Sequence, residues 1–576
     1  MARRTAVGGV ASVTRVPRIV GTRGSTLPRL AALAALLCGA LVTLVAGVPG
    51  PAAATTTATA TTATTTTTAT TTTATGSETW TVYHGDPVGS GTAPGVTSVD
   101  TSARAWTSPV LDGQLYGQPV VSGGLVDVAT ENDTVYALSA TTGSVVWSTH
   151  LATPVPASAL PCGDIQPFVG ITGTPVLDPA RGEIFVVADE WVDSRATHVL
   201  VGLDATTGHL ETTQDVDPAG ADPTALLQRT GLTLDGGRVV FGYGGNYGDC
   251  ASYRGRVVSV PEGGGTPSFF TVDAAPGDSQ GSVWMGGAAP VVDSQGDIWV
   301  ATGNGSVTSS SRPYDDSDGV LELSSSLQLL GFFAPTSWPQ NNAGDLDMSA
   351  APALLADGQV VLAGKSRIAY LLDGGHLGGV GGQLATLGGL CDEDVDGGVA
   401  TVGTTVYLPC LVGPVALQTT AAPAGLRLVW SARIGGGPPV VVAGRVWTIG
   451  QDGTLYGLAP ATGAVVQRAT VGVPANHFPT PGVGAGLLLV PAADQVVAFA
   501  APSPSSPAVV TTVPPTASTT PATTTHPAAG AAAPSAGGLP AGAWAALAAA
   551  AVLLGVAAWL VRRRRTRSQG TRSTGG

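Results

Sequence analysis

Lysine is almost missing from this chain. Of 26 basic residues only Lys365, in "AGKSRIAYLLD" (363–373), is not an arginine. Lysine is a compact point charge where arginine is a rigid bidentate fork, so a lone lysine suits contact with one polarised oxygen. Charged residues of all kinds are 11% of the sequence, well below the roughly 25% usual for soluble domains. The five cysteines form no CxxC or CxxCH, which argues against structural zinc and covalent haem. No serine nucleophile elbow is read from the sequence, and His84, His150, His198, His209, His376, His477 and His526 show no metal-ligand spacing. Hydrolase and zinc chemistry therefore have little support. Long amphipathic helical patterns are absent too.

The ends account for part of the missing charge. Residues 27–48, "LPRLAALAALLCGALVTLVAGV", follow an arginine-bearing stretch and precede the small-residue run "PGPAAA". Residues 1–54 thus read as a secretory signal peptide, removed together with Cys38. Near the other end, residues 541–561 are an uncharged run long enough to cross a bilayer, with Trp544 and Trp559 near its ends. Arg562–Arg565 follow, so residues 562–576 read as a basic cytoplasmic tail and the bulk of the chain as extracellular. "LPAGA" (539–543) resembles a sortase sorting signal, but Gly542 stands where that motif has threonine. Membrane anchoring is favoured over wall attachment.

Six arginines lie in residues 1–29 and six in residues 562–572. The remainder has 14 basic residues against 39 acidic ones, a net charge near -25. Such a surface repels nucleic acid and leaves carboxylates free for divalent cations. Residues 55–77 are Thr/Ala-rich, and residues 501–540 are rich in Pro, Thr and Ala. Neither has the apolar content to fold, and both read as disordered stalks.

Between them, residues 78–500 repeat. The clearest copies are "QPVVSGGLVDVATENDTVYALSATTGSVVWSTH" (118–150) and "PPVVVAGRVWTIGQDGTLYGLAPATGAVVQRAT" (438–470), and a third fills 174–213. Weaker copies begin near Gly231, Ala288, Ala350 and Gly397. Four short strands per unit of roughly 40 residues predict an all-β propeller of about eight four-stranded blades, with seven as the alternative. The last unit, 478–501, has only three strands. "ARAWTSPV" (103–110) has the form of a fourth, so an N-terminal strand is expected to close the ring. Cys162, Cys250, Cys391 and Cys410 allow three pairings; Cys162 with Cys250 and Cys391 with Cys410 are expected.

The "YALSATTGSVVW" of 136–147 resembles the PQQ-repeat family, which includes quinoprotein alcohol dehydrogenases and non-catalytic propellers. The resemblance implies the fold across most of residues 80–500. It also implies a site. "GSVWMGGAAPVVDSQGDIWVATGNGS" (281–306) is similar to the dehydrogenase segment with a tryptophan floor under pyrroloquinoline quinone and a calcium-binding asparagine, placing Trp284 and Asn304 there. Asp249 falls near the calcium-binding acid, Asp345 or Asp347 near the catalytic aspartate, and Lys365 on the residue that holds the quinone oxygen.

The paired cysteines that cap the quinone in that family are replaced by Cys162 alone, and no electron-transfer domain is present. Taken singly, Trp284 also reads as a packing residue, Asn304 as a left-handed turn, Asp345 and Asp347 as loop caps, and Lys365 as a surface ion pair. "YDDSDG" (314–319) reads as a solvated turn. Two functions follow. The favoured one is a membrane-anchored, non-catalytic propeller that binds a small-molecule ligand or a protein. The other is a calcium-dependent quinoprotein dehydrogenase oxidising a small alcohol or sugar.

Overall fold

The computed structural model describes residues 79–502. The expected signal peptide, Thr/Ala segment, membrane helix and tail lie outside these residues, as does all but the first two residues of the expected stalk. Among the described residues no helix is long and apolar enough to cross a membrane.

Eight sheets follow one another along the chain, each built mainly of consecutive antiparallel strands, and those of blades 4 and 7 each gain one parallel strand. Their innermost strands are Val120–Ser122, Val176–Asp178, Thr233–Asp235, Val291–Val292, Ala353–Leu354, Ala400–Val402, Val440–Val442 and Gly482–Gly484, numbered here as blades 1 to 8. Each blade presses both faces on its neighbours. Its second strand is therefore apolar on both sides, as in Leu487–Ala492 of blade 8, where every residue is buried. Outermost strands meet solvent and alternate, as in Val145–His150. The only α-helix among the described residues is short, Trp338–Gly344.

Blade 8 supplies three strands of its own. Its fourth is Trp106–Thr107, paired antiparallel with Ala498 and Val497, as the ring-closure argument expects. The repeated tryptophan and "TTG" turn have a shared physical purpose. Trp147 of blade 1 donates from Nε1 to the Ala205 carbonyl of blade 2, 3.1 Å away, and its ring covers Gly208. Trp430 of blade 6 bonds Pro460 of blade 7 and covers Gly463 in the same way, and Trp106 of blade 8 bonds Ala140 of blade 1 over Gly143. A Cβ on Gly143 would sit 2.4 Å from the Trp106 ring, so the turn must be glycine. Each tryptophan bolts its blade to the next.

The entry segment is an unforeseen element. Main-chain bonds join Trp80 to Val121 of blade 1, Thr81 to Leu177 of blade 2, Pro87 to Val292 of blade 4, Ser90 to Thr401 of blade 6 and Gly91 to Val441 of blade 7. Thr92–Ala93 adds a parallel strand inside blade 7. A single segment reaching the inner strands of five blades must cross the centre of the ring, so residues 80–93 close one end of the central channel. Its repeat-free sequence carried no periodic signal.

Residues 314–319 differ from expectation. Asp315, Ser317 and Asp318 are buried, not solvated, and Ser317 Oγ donates to Asp315 at 2.6 Å. Burial and the neighbouring Asp315 carboxylate push Asp273 up to about 9. Alternation-based reading takes a run of aspartates as surface; here the loop folds under blade 4 with its carboxyl groups inward.

Candidate functional site

The loops joining second to third strands, and the segments leading into the innermost strands, share one face of the propeller. Five residues singled out in the sequence meet there. Lys365 lies in the loop between Gln359–Ala363 and Ile368–Asp373 of blade 5. Its Nζ is 2.5 Å from Asp347 Oδ2 and 3.3 Å from Asp345 Oδ1, and 5.5 Å from the centre of the Trp284 ring. The other oxygen of Asp347 accepts the Asn304 main-chain N–H at 2.6 Å. The loops lock together because the Lys365 N–H bonds the Asp347 carbonyl. That approach needs Gly364, where a Cβ would stand 2.1 Å from the same carbonyl.

Asp249 joins from blade 3. Its carboxylate accepts from Tyr253 Oη at 2.6 Å, and Tyr253 Oη is 2.6 Å from Ser282 Oγ. The Ser282 carbonyl in turn accepts from Gly303 N–H, beside Asn304. Tyr253 and Ser282 were missed in the sequence, since neither is a charged or motif residue there. Gly244 gives Trp284 its place: a Cβ would come within 1.7 Å of the indole Nε1.

The expected disulfides, Cys162–Cys250 and Cys391–Cys410, are both present. The first pins the Asp249 loop to the connection between blades 1 and 2. Its sequence separation is 88 residues against 19 for the second. By chain entropy, replacing Cys162 and Cys250 by serine is expected to cost about 4–5 kcal/mol, and the Cys391, Cys410 pair about 3 kcal/mol. Urea denaturation of both double variants tests the order, and equal losses would contradict it.

Charge in the cluster is one cation among acids. Desolvation works to lower Lys365, but Asp347, then Asp345 and Asp396, outweigh it and hold the ammonium charged far above neutral pH. Burial raises Asp249 and Asp345, and takes Asp396 up to about 6. Asp347 is 1% exposed at its side chain, whereas Asp345 is 65% exposed in a left-handed turn.

Two groups implied by the resemblance can be tested against these residues. Asn304 Oδ1 is buried without a partner and Asp249 adds a carboxylate, which suits a hard cation. The quinone does not fit this arrangement. The hollow between Ser282, Trp284, Gly303, Asp347 and Ser349 has ≈ 0 Å³ open to a water molecule. A planar tricarboxylate would also meet Asp249, Asp345 and Asp347, and the one cationic side chain in the cluster, Lys365, is already paired. Beyond the Tyr253 end, an open cleft of ≈ 550 Å³ is lined by Asp222, Tyr253, Arg254, Arg256 and Asp278.

Two other features need separate mention. "GDSQG" (277–281) does match GxSxG, contrary to the sequence reading, but Ser279 is half-buried in a loop with no strand-to-helix turn. Asp293, Asp297 and Glu322 group their carboxylates within 4.8 Å at a half-buried place on blade 4. There Asp293 already accepts from Gln295 N, Asp297 N and Trp299 Nε1.

Residues 67–313 match a family model described as outer membrane protein assembly factor BamB. No curated protein sequence matches the chain. Among solved structures, the quinohemoprotein alcohol dehydrogenase of Comamonas testosteroni is similar with a TM-score of 0.56 at 15% identity, over 73% of this chain and 80% of that one. Quinohemoprotein alcohol dehydrogenase ADHIIG of Pseudomonas putida HK5 gives 0.55 at 14%, over 75% and 82%. A europium-containing methanol dehydrogenase gives 0.51 at 13%, over 72% and 89%. At such identities the likeness is one of fold. Eight bolted blades and the family model matched over residues 67–313 lead to one conclusion: the described residues form a β-propeller built of PQQ-type repeats.

Proposed function

We propose that this is a non-catalytic propeller that binds a ligand or protein partner on the face carrying Lys365, and that it is held at the cell membrane by residues 541–561. One observation carries the reading. Both oxygens of Asp347, the best-placed general base, are engaged by Lys365 and Asn304, and the hollow beside Trp284 is closed. A base needs a free oxygen within reach of the proton it takes, and substrate and quinone need room. The open cleft at the Tyr253 end supports a binding surface, and the matched family's description as an assembly factor is in keeping with one. The two disulfides suit an extracellular domain.

The second reading, a quinone- and calcium-dependent dehydrogenase, is favoured by the meeting of Asp249, Trp284, Asn304, Asp347 and Lys365 in one cluster. Calorimetric titration of pyrroloquinoline quinone with calcium into the purified protein separates the two. No binding heat is expected. Tight binding that disappears in both Lys365→Ala and Asn304→Ala would overturn the proposal in favour of the dehydrogenase.

A further inference from the structure

Arg229 precedes the innermost strand of blade 3 and is 5% exposed. Its contacts come from across the ring. Nη1 donates to the Thr172 carbonyl of blade 2 at 2.8 Å. The guanidinium carbon is 5.9 Å from the centre of the Tyr116 ring, which precedes blade 1, and 5.1 Å from that of Phe478, which precedes blade 8. One side chain reaches the entrances of blades 8, 1 and 2 from blade 3 only through the centre. Arg229 therefore lies in the central channel, above the segment that closes its other end.

No carboxylate forms an ion pair with it, although the more distant Asp164 favours its charge. The arginine ion pairs among the described residues belong to Arg181, Arg312 and Arg433. Nη2 of Arg229 is buried without a partner, and so are Tyr83 Oη and His477 Nε2. Both neighbours feel the guanidinium: burial and then Arg229 hold His477 down to about 4, and Arg229 opposes the upward push of burial on Tyr83. Burial lowers Arg229 itself only to about 10, so it stays cationic at neutral pH.

An unpaired buried guanidinium costs several kcal/mol relative to one with a counter-charge. Asp164 acts on it only from beyond ion-pair distance, so the guanidinium lacks a direct counter-charge. Aromatic faces offset part of the cost, and water could satisfy the hydrogen bonds but not the charge. An oxyanion does both, because guanidinium and oxyanion make strong charge-assisted bonds.

We propose that Arg229 anchors an oxyanion site in the central channel, which takes the carboxylate or phosphate group of a small molecule with Tyr83 Oη as a second donor. The site is distinct from the Lys365 cluster and stands whichever way the quinone titration falls.

The test uses the full-length protein with inorganic phosphate and acetate as probes, and chloride at matched ionic strength as the control. Thermal melts and calorimetry are read on wild type, Arg229→Met and Tyr83→Phe. Phosphate, acetate or both are expected to raise the wild-type melting temperature along a saturating curve, and chloride to have no such effect. A response to only one probe identifies the group the channel takes. Arg229→Met should lose the response, and Tyr83→Phe should bind about ten-fold more weakly, as for one bond to a charged group. Arg229→Met keeps the side-chain stem, removes an unpaired buried charge and should melt no lower than wild type without the probes. Equal responses in wild type and Arg229→Met, a chloride response as large as that of the oxyanions, or no response to any would each sink the proposal.

Discussion

His198→Leu is expected to destabilise the propeller by about 3–5 kcal/mol at pH 7, the usual cost of breaking a buried ionic group. His198 is fully buried in blade 2 between two carboxylates, with Nε2 2.7 Å from Asp189 and Nδ1 2.7 Å from Asp217. Both ring nitrogens face acceptors, so both carry protons and the ring is an imidazolium. Burial works to lower its pKa, but Asp189 and then Asp217 raise it to about 10. The ring also meets Tyr243 of blade 3 edge-on at 4.9 Å, so it ties two blades as well as two strands. Leucine would leave Asp189 buried and unpaired.

The sign with pH follows from linkage. A group whose folded pKa lies above its unfolded value stabilises fully below the unfolded value, about 6.5 for histidine. That contribution fades as pH rises through about 10. Asp273, raised to about 9, acts in the same direction over a lower starting range. His84 and His477, both held near 4 chiefly by burial, act oppositely as pH falls below about 6.5. Urea denaturation of wild type and His198→Leu at pH 7 and pH 10.5 should show the gap between them shrinking at the higher pH. A gap that stays constant would mean that the ring is held by packing, not by its charge.

Trp106→Ala is expected to cost about 3–5 kcal/mol, the range for emptying a buried aromatic site. Trp106 carries the last strand of blade 8, and its Nε1 bonds Ala140 of blade 1 at 2.8 Å. The same truncation at Trp147 or Trp430 removes an equivalent bolt, but within an unbroken stretch of chain. Losing the bolt at the closure also frees two sheet edges. Thermal melts should therefore rank Trp106→Ala as the most destabilised of the three. Limited proteolysis should cut it first between residues 94 and 110. A Trp106→Ala protein that melts with the other two would show that closure relies on the apolar core shared by blades 7, 8 and 1 instead.

Much of this molecule was legible in the sequence because it repeats. Alternating strands and glycine turns are local signals, and the copies reinforce one another. The incomplete last unit even pointed to Trp106 as the closing strand. Of three possible cysteine connectivities, the expected one, Cys391 with Cys410 on one repeat and Cys162 with Cys250 on neighbours, is the one present. Asp249, Trp284, Asn304 and Asp347 were named from resemblance and Lys365 from its rarity as well, and each lay in a loop where spacing says nothing about distance.

What the sequence by itself determined is the architecture: an all-β ring of blades and its closure by an N-terminal strand. Only the tertiary structure decided what its charged and polar groups do. It paired Lys365 with Asp347, buried the aspartates of residues 314–319, clamped His198 between two acids and threaded residues 80–93 across the channel. It also left Arg229 at the centre without a direct ion pair. The reason is physical: strand periodicity is written into neighbouring residues, whereas the cost of a buried charge depends on partners from distant blades that meet only when the ring closes.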